Sequence, residues 1–339
     1  MTAAPAAADP AAPPEPTRIF SGIQPSGFLH VGNWLGAIRN WVRLSARTES
    51  FFCIVDYHAV TVPYEPAEMP VRVHEAALAL LACGIDPARA TVFVQSHVPE
   101  HTELAWVFTT LAPMGELERM TQFKEKSEKF GIQAGLFVYP LLQAADILLY
   151  KADAVPVGED QLQHLELARE LARRFNRAYG ETFPEPRPLL TESPRILALD
   201  ARGKMSKTNP DQAIGILDAP DVIRKKLAGA FTDPGRKRRY DPGNPDICNV
   251  FALHHHFSGP EEVARVDRDC RSGALGCYED KMNLAENVVA ALAPIRDAAA
   301  RLREDEGAVE RVLAGGAERA RAVARETMEE VRRRMGLRT

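Results

Sequence analysis

The sequence predicts an α/β fold, a parallel sheet followed by a mainly α-helical C-terminal part, and three observations predict it. Short apolar segments rich in β-branched and aromatic residues stand at 18–21 (RIFS), 51–55 (FFCIV) and 91–95 (TVFVQ). Amphipathic helical patterns separate them at 33–47 and about 67–83, the second closing at Gly84. Strands that alternate with helices imply parallel pairing through right-handed crossovers. Beyond about 217 the pattern is helical to the end, broken by Pro- and Gly-rich stretches near 233–246 and 258–276. The whole reads as a Rossmann-like, nucleotide-binding parallel-sheet domain with a helical C-terminal domain. In such sheets ligands sit at the carboxyl ends of the strands.

The remaining stretches fill in this outline. Residues 1–16, MTAAPAAADPAAPPEP, are nearly all Ala and Pro and read as a disordered tail without a secretory pattern. Residues 17–216 form the expected sheet domain, with mainly helical patterns over 100–180 and polar breaks near 127–135 and 153–160. The apolar run RILALD at 195–200 is expected to return to the sheet. Residues 217–339 form the helical domain, ending in a helix over roughly 317–335.

Composition narrows the classes. Apolar residues make up 45% and charged residues 26%, as in a water-soluble globular protein. No apolar run reaches the roughly 20 residues needed to span a bilayer, so no membrane role is expected. Five cysteines without a signal sequence point to a reducing, cytoplasmic setting. A net charge of −4 argues against a general DNA binder, although basic runs at 224–226, 236–239 and 332–334 leave local anionic contacts open.

Two motifs carry chemistry. After the first strand comes SGIQPSGFLHVGN, residues 21–33. Gly22, Gly27 and Gly32 permit turns and close backbone approach, Asn33 opens a helix whose amide end favours phosphate, and His30 offers a ring donor. Read alone, the stretch is equally well a glycine-rich connection around a packed histidine. About 170 residues later, GKMSKT at 203–208 brings two lysines near a Met–Ser pair on a loop, suited to offset charge on a leaving pyrophosphate. The helix pattern YPLLQAADILLY places Tyr139, Gln143, Asp146 and Ile147 on one face. An acid on so apolar a face needs a partner: a salt bridge, or a donor-only group such as an indole N–H.

Together these segments resemble the class I aminoacyl-tRNA synthetases, with HVGN and KMSKT in their two signature positions. Among these, the chain resembles the bacterial tryptophanyl-tRNA synthetase family. The resemblance rests on IFSGIQPSG, CIVDYHAVT, GIDPARATVFVQS, GELERMTQFKEKS, QAADILLY and VPVGEDQLQHLELARE, in that order. It implies activation of tryptophan by ATP with Mg²⁺, transfer to tRNA(Trp), and a homodimer with an interface around 71–110. By motif, Gln24, Pro25 and Ser26 would line the ATP site, with His30, Gly32 and Asn33 at the helix start. Gly158, Glu159 and Asp160 would lie on the ribose side and Ile196 against adenine. Lys204, Met205, Ser206, Lys207 and Thr208 would follow the phosphates, with Lys126 approaching them. Phe20, Val155 and Val157 would wall the indole, and Asp146 would accept its N–H. His58, Tyr139 and Gln161 would stand near the amino or carboxylate end. Many relatives carry methionine at Gln143.

The helical domain would read the anticodon through its basic runs. Cys53 and Cys83 read as core residues. Cys248, Cys270 and Cys277 nearly match a four-cysteine iron–sulphur pattern of one branch, with Asp280 at the fourth position. A cluster there, a different metal, and no metal at all remain open. The three histidines at 254–256 read as a surface feature. A tyrosine-specific sibling, an adenylylating enzyme without tRNA, and a catalytically silent tryptophan binder are the competing functions.

Overall fold

The computed structural model describes residues 15–121, 133–190, 196–207 and 209–338, so Lys126 and Thr208 lie outside the described residues. The three expected strands form as β1 (Arg18–Ile23), β2 (Glu49–Ile54) and β3 (Ala90–Val94). They are joined by β4 (Ala154–Val157) and β5 (Arg187–Leu190). All pairings are parallel and the order is β3-β2-β1-β4-β5. Crossing from β1 to β3 moves the chain one way and reaching β4 and β5 moves it the other, which opens a crevice beyond the carboxyl end of β1.

The expectation that 195–200 returns to the sheet is corrected. Within its described part, Leu197 bridges only Lys204 across a tight hairpin, and the places beside β1 belong to β2 and β4. β4 was hidden in the polar break at 153–160 because it is four residues long and contains Pro156, which carries no N–H for the ladder.

The first helical stretch runs through Val31–Asn33 and a π-helical turn, Trp34–Ile38, into α1 (Arg39–Ser45). The remaining long helices are α2 (Met69–Ala82), α3 (Glu100–Leu111), α4 (Ala134–Leu149) and α5 (Leu162–Tyr179). After them come α6 (Pro220–Ala228), α7 (Asn249–Phe257), α8 (Pro260–Ser272), α9 (Cys277–Glu304) and α10 (Ala308–Arg334).

Strand alternation gives the sheet two apolar faces. Ile19, Phe52, Ile54, Val92 and Val94 pack with Trp41, with Leu78 and Leu80 of α2, and with Val288 and Leu292 of α9. Phe20, Phe51, Cys53 and Phe93 point the other way, to Leu148, Leu171 and Phe175 and to Ala320, Ala324 and Met328 of α10. The last helix thus covers the sheet, although the division at 217 groups it with the helical part. Small residues let it approach: a Cβ on Gly316 would stand 1.8 Å from the Val92 carbonyl oxygen.

Gly316→Ala therefore forces α10 off β3 and should lower unfolding stability by about 2–4 kcal/mol. Gly315→Ala meets only the tip of Arg319, at 3.7 Å, and should leave stability unchanged or raise it by up to about 1 kcal/mol. Urea unfolding of the pair checks both; equal effects would show that close approach is not what Gly316 provides.

Candidate active site

The crevice begins where β1 ends. Loop residues 24–30 turn the chain, and the Asn33 side-chain oxygen accepts from the His30 N–H at 3.1 Å, closing the helix start. The segment beyond the second motif holds that start in place: the Val31 N–H donates to Ile214 O at 2.9 Å and the Ile216 N–H to Leu29 O at 3.0 Å. Gly32 is needed for close approach, since a Cβ there would lie 2.9 Å from His30 Nδ1 and 3.6 Å from Ile196 Cβ. Gly32 therefore lies close against both His30 and Ile196, the latter remote in sequence.

The lysine loop folds against the same place. Met205 is buried, and its N–H donates to Ile196 O at 2.9 Å. Lys207 Nζ donates to Gln24 O at 3.1 Å, tying the loop to the turn after β1. Lys204 is exposed and Ser206 half-buried beside it. Burial lowers the Lys207 ammonium to about 8. Burial, then Lys207 and Lys204, lowers His30 to about 4, so its ring is neutral at pH 7. Among the described residues, His30 Nδ1 has no hydrogen-bond partner. Two cations and an unpaired ring nitrogen converge where an anion would be stabilised.

Deeper in the crevice, between β1 and β4, lies a cavity of about 350 Å³. All eight residues expected around the amino acid border it: Phe20, His58, Tyr139 and Gln143, with Asp146, Val155, Val157 and Gln161. Gln24 and Gly158 border it as well, so the cavity is continuous with the expected nucleotide side. Glu159 and Asp160 are exposed at its mouth, where Asp160 accepts from Gln161 Nε2 at 2.9 Å. Pro25 is buried and Ser26 exposed on the turn above.

Asp146 is 1% exposed. Burial opposes its ionisation, but His58 and the hydrogen bonds from His101 and His58 outweigh that and hold the carboxyl well below the usual range. His58 Nε2 lies 2.7 Å from Asp146 Oδ2 while its ring borders the cavity. Tyr139 OH meets His164 Nε2 at 2.9 Å. Three residues that carry no expectation from sequence also reach this cluster: Gln95 at the end of β3, and His101 and Tyr150. A signal for His101 existed, because it shares the buried stripe of α3 with Leu104 and Phe108.

Cys248, Cys270, Cys277 and Asp280 do line one enclosed cavity, but its volume is about 20 Å³, room for a single water. Among the described residues, no three His, Cys, Asp or Glu side chains are grouped to hold a metal ion. Arg236 Nη1 donates to Cys277 Sγ at 3.4 Å, and the fourth position is held by the hard carboxylate of Asp280 rather than a thiol. These residues do not fit an iron–sulphur cluster. The histidine run also differs from expectation: His254 is fully buried, with Nδ1 2.6 Å from Ser258 Oγ and Nε2 3.2 Å from Asp280 Oδ1.

The neutral His30 has a stability consequence. Between its ordinary value of 6.5 and about 4, the unfolded chain binds a proton that the folded chain refuses. Its contribution is present above 6.5 and is lost as pH falls through that window. His30→Asn should flatten the fall in urea midpoint between these pH values; an unchanged slope would refute the assignment.

Comparison with known proteins places this geometry. A family model described as tRNA synthetases class I (W and Y) matches residues 13–293. The tryptophan–tRNA ligase of Deinococcus radiodurans is 49% identical over 326 residues, covering 94% of this chain and 98% of the relative. That of Gloeobacter violaceus is 48% identical over 330 residues, covering 95% and 97%. The crystal structure of Campylobacter jejuni tryptophanyl-tRNA synthetase, complexed with ADP and tryptophan, superposes with a TM-score of 0.87 at 34% identity, over 95% of this chain and 100% of that one. The tyrosyl-tRNA synthetase of Aeropyrum pernix shares the fold, with a TM-score of 0.61 at 20% identity. With its crevice, its lysine loop and these likenesses over nearly its full length, the chain belongs to the tryptophan and tyrosine family of class I aminoacyl-tRNA synthetases.

Proposed function

We propose that the protein activates L-tryptophan with ATP to tryptophanyl-adenylate and transfers the tryptophanyl group to tRNA(Trp). The observation that carries this reading is one crevice in which an aromatic-walled cavity with a buried ionised carboxylate adjoins two loop lysines. The names of its relatives favour tryptophan over tyrosine.

In the first step, the carboxylate of tryptophan attacks the α-phosphorus of ATP, a new P–O bond forms, and the bond to pyrophosphate breaks. No protein nucleophile is required, so the enzyme works by positioning and electrostatics. Mg²⁺ enters with ATP and offsets polyphosphate charge. Lys204 and Lys207 follow the β- and γ-phosphates, with Met205 anchoring their loop beneath. His30, Gly32 and Asn33 meet the nucleotide at the helix start, and Gln24, Pro25 and Ser26 line its other side. Ile196 packs on adenine while Gly158, Glu159 and Asp160 approach the ribose. Phe20, Val155 and Val157 flank the indole, and Asp146 accepts its N–H. Tyr139, Gln143 and Gln161 complete the cavity wall. In the second step, a terminal ribose hydroxyl of the tRNA attacks the carbonyl and AMP leaves.

The helical part from 217 onward contacts the tRNA, its exposed Lys237, Arg238 and Arg239 meeting phosphates. A homodimer accounts for the exposure of Val71 (62%) and Trp106 (69%) within the segment 71–110. Among the described residues no helix is long and apolar enough to cross a membrane, and we place the enzyme in the cytoplasm.

Amino-acid-dependent ATP–pyrophosphate exchange tests the reading. Exchange should occur with tryptophan and not with tyrosine or phenylalanine; exchange with none of them would leave a silent binder. Asp146→Asn should lower kcat/KM for tryptophan by about 100-fold, because the charge is lost and one of the two acceptor oxygens becomes an NH2 among the donors His58, Gln95 and His101. Lys207→Ala should lower kcat by roughly 100-fold or more with little change in KM for tryptophan. Trp106→Asp should raise the dissociation constant of the dimer in sedimentation equilibrium; an unaltered constant would exclude this face from the interface.

A further inference from the structure

Asp146 is held by more groups than a cavity-lining acceptor requires. Its Oδ1 faces two donors, Gln95 Nε2 at 2.7 Å and His101 Nδ1 at 2.6 Å. Its Oδ2 faces one, His58 Nε2 at 2.7 Å. Gln95 and His101 are fully buried and stand behind the cavity, whereas His58 and Asp146 border it. A carboxylate oxygen has about two acceptor positions. Oδ1 is therefore filled, and Oδ2 keeps one position on the side of the cavity.

A second layer fixes the first. His101 Nε2 lies 2.8 Å from the Tyr150 hydroxyl. Tyr150 is fully buried, stacked on Phe51 at 4.5 Å and Phe20 at 5.6 Å, with Phe93 edge-on at 5.5 Å. Among the described residues its hydroxyl has no other hydrogen-bond partner. With aromatic rings closing its other sides, the O–H is satisfied by donating to Nε2. Nε2 is then the acceptor, and the ring proton sits on Nδ1, where it donates to Asp146. A doubly protonated His101 would leave the Tyr150 proton facing aromatic rings, at the cost of an unmade buried hydrogen bond.

We propose that Tyr150 and His101 are positioning residues which, together with Gln95, lock the Asp146 carboxylate so that Oδ2 alone offers an acceptor to the ring N–H of the amino acid. The inference rests on the proposed role of Asp146 and adds a donor chain, Tyr150 to His101 to Asp146, that sets both the tautomer and the direction of recognition. None of the three side chains behind the carboxylate touches the substrate.

The test compares tryptophan with the isosteric amino acid that carries a benzothiophene, with sulphur in place of the ring N–H, in ATP–pyrophosphate exchange. The wild-type enzyme should prefer tryptophan in kcat/KM by about 100-fold, as sites built around a hydrogen bond do. His101→Leu should cut that preference by about tenfold or more, mainly through KM for tryptophan, and leave the sulphur analogue within about twofold. His101→Asn, whose amide still donates, should restore part of it. Equal weakening of both substrates, or no change in either, would overturn the proposal as a merely structural or silent role. No preference in the wild-type enzyme would instead remove the role of Asp146 itself. If His101→Leu fails to fold, ¹⁵N NMR of the wild-type protein and of Tyr150→Phe decides. The Nδ1–H tautomer in the former, disturbed in the latter, supports the chain; an Nε2–H tautomer in the wild type overturns it.

Discussion

A parallel strand with neighbours reached from opposite directions leaves a gap at its carboxyl end, and every part of this site depends on that gap at β1. β2 pairs with β1 through six registered positions, Arg18 to Ile23, whereas β4 meets it at Ile19 and Ala154. The turn after β1 is thus held firmly on one side and left open on the other. Into the opening come His58 from beyond β2 and Val155 and Val157 of β4, while Gln95 from the end of β3 holds Asp146 from behind. Ligand and catalytic groups at strand ends are positioned by the sheet rather than by one another.

The opening has two electrostatic halves. On the side of the helix start, Lys204 and Lys207 surround a histidine kept neutral by burial and by their charge, an arrangement suited to an anion. On the side of α4, a buried carboxylate is kept ionised by His58 and by the hydrogen bonds from His101 and His58. A substrate with an anionic chain at one end and a ring donor at the other suits both. Group transfer between bound partners then needs geometry more than covalent help, and no protein nucleophile is part of the proposed chemistry.

The cavity at Cys248, Cys270 and Cys277 shows what proximity does not supply. Spacing in sequence brings the thiols to one small cavity, yet Arg236 donates to Leu275 O and to Cys277 Sγ there, and His254 Nε2 stands 3.2 Å from Asp280 Oδ1 without a hydrogen bond. With so small a cavity and a carboxylate at the fourth position, the region is better described as a packed polar joint of the helical part than as a ligand set.

Sequence alone determined what local pattern records. The first three strands, the helix starting near Asn33 and the shared face of Tyr139, Gln143 and Asp146 were legible from periodicity, and the eight residues bordering the cavity followed from the family resemblance. Periodicity states which face of an element is buried, and motif states which chemistry lies at its end. Neither states what lies opposite. The partners of Asp146 stand 88, 51 and 45 residues away, at His58, Gln95 and His101. Their meeting is fixed by strand order and by the way α3 and α4 pack on one sheet face. The place of β4 and the return of α10 onto β3 were likewise tertiary decisions. A four-residue strand with a proline carries almost no local signal, and a helix with one apolar stripe can cover any apolar surface until contacts such as Gly316 against Val92 choose one.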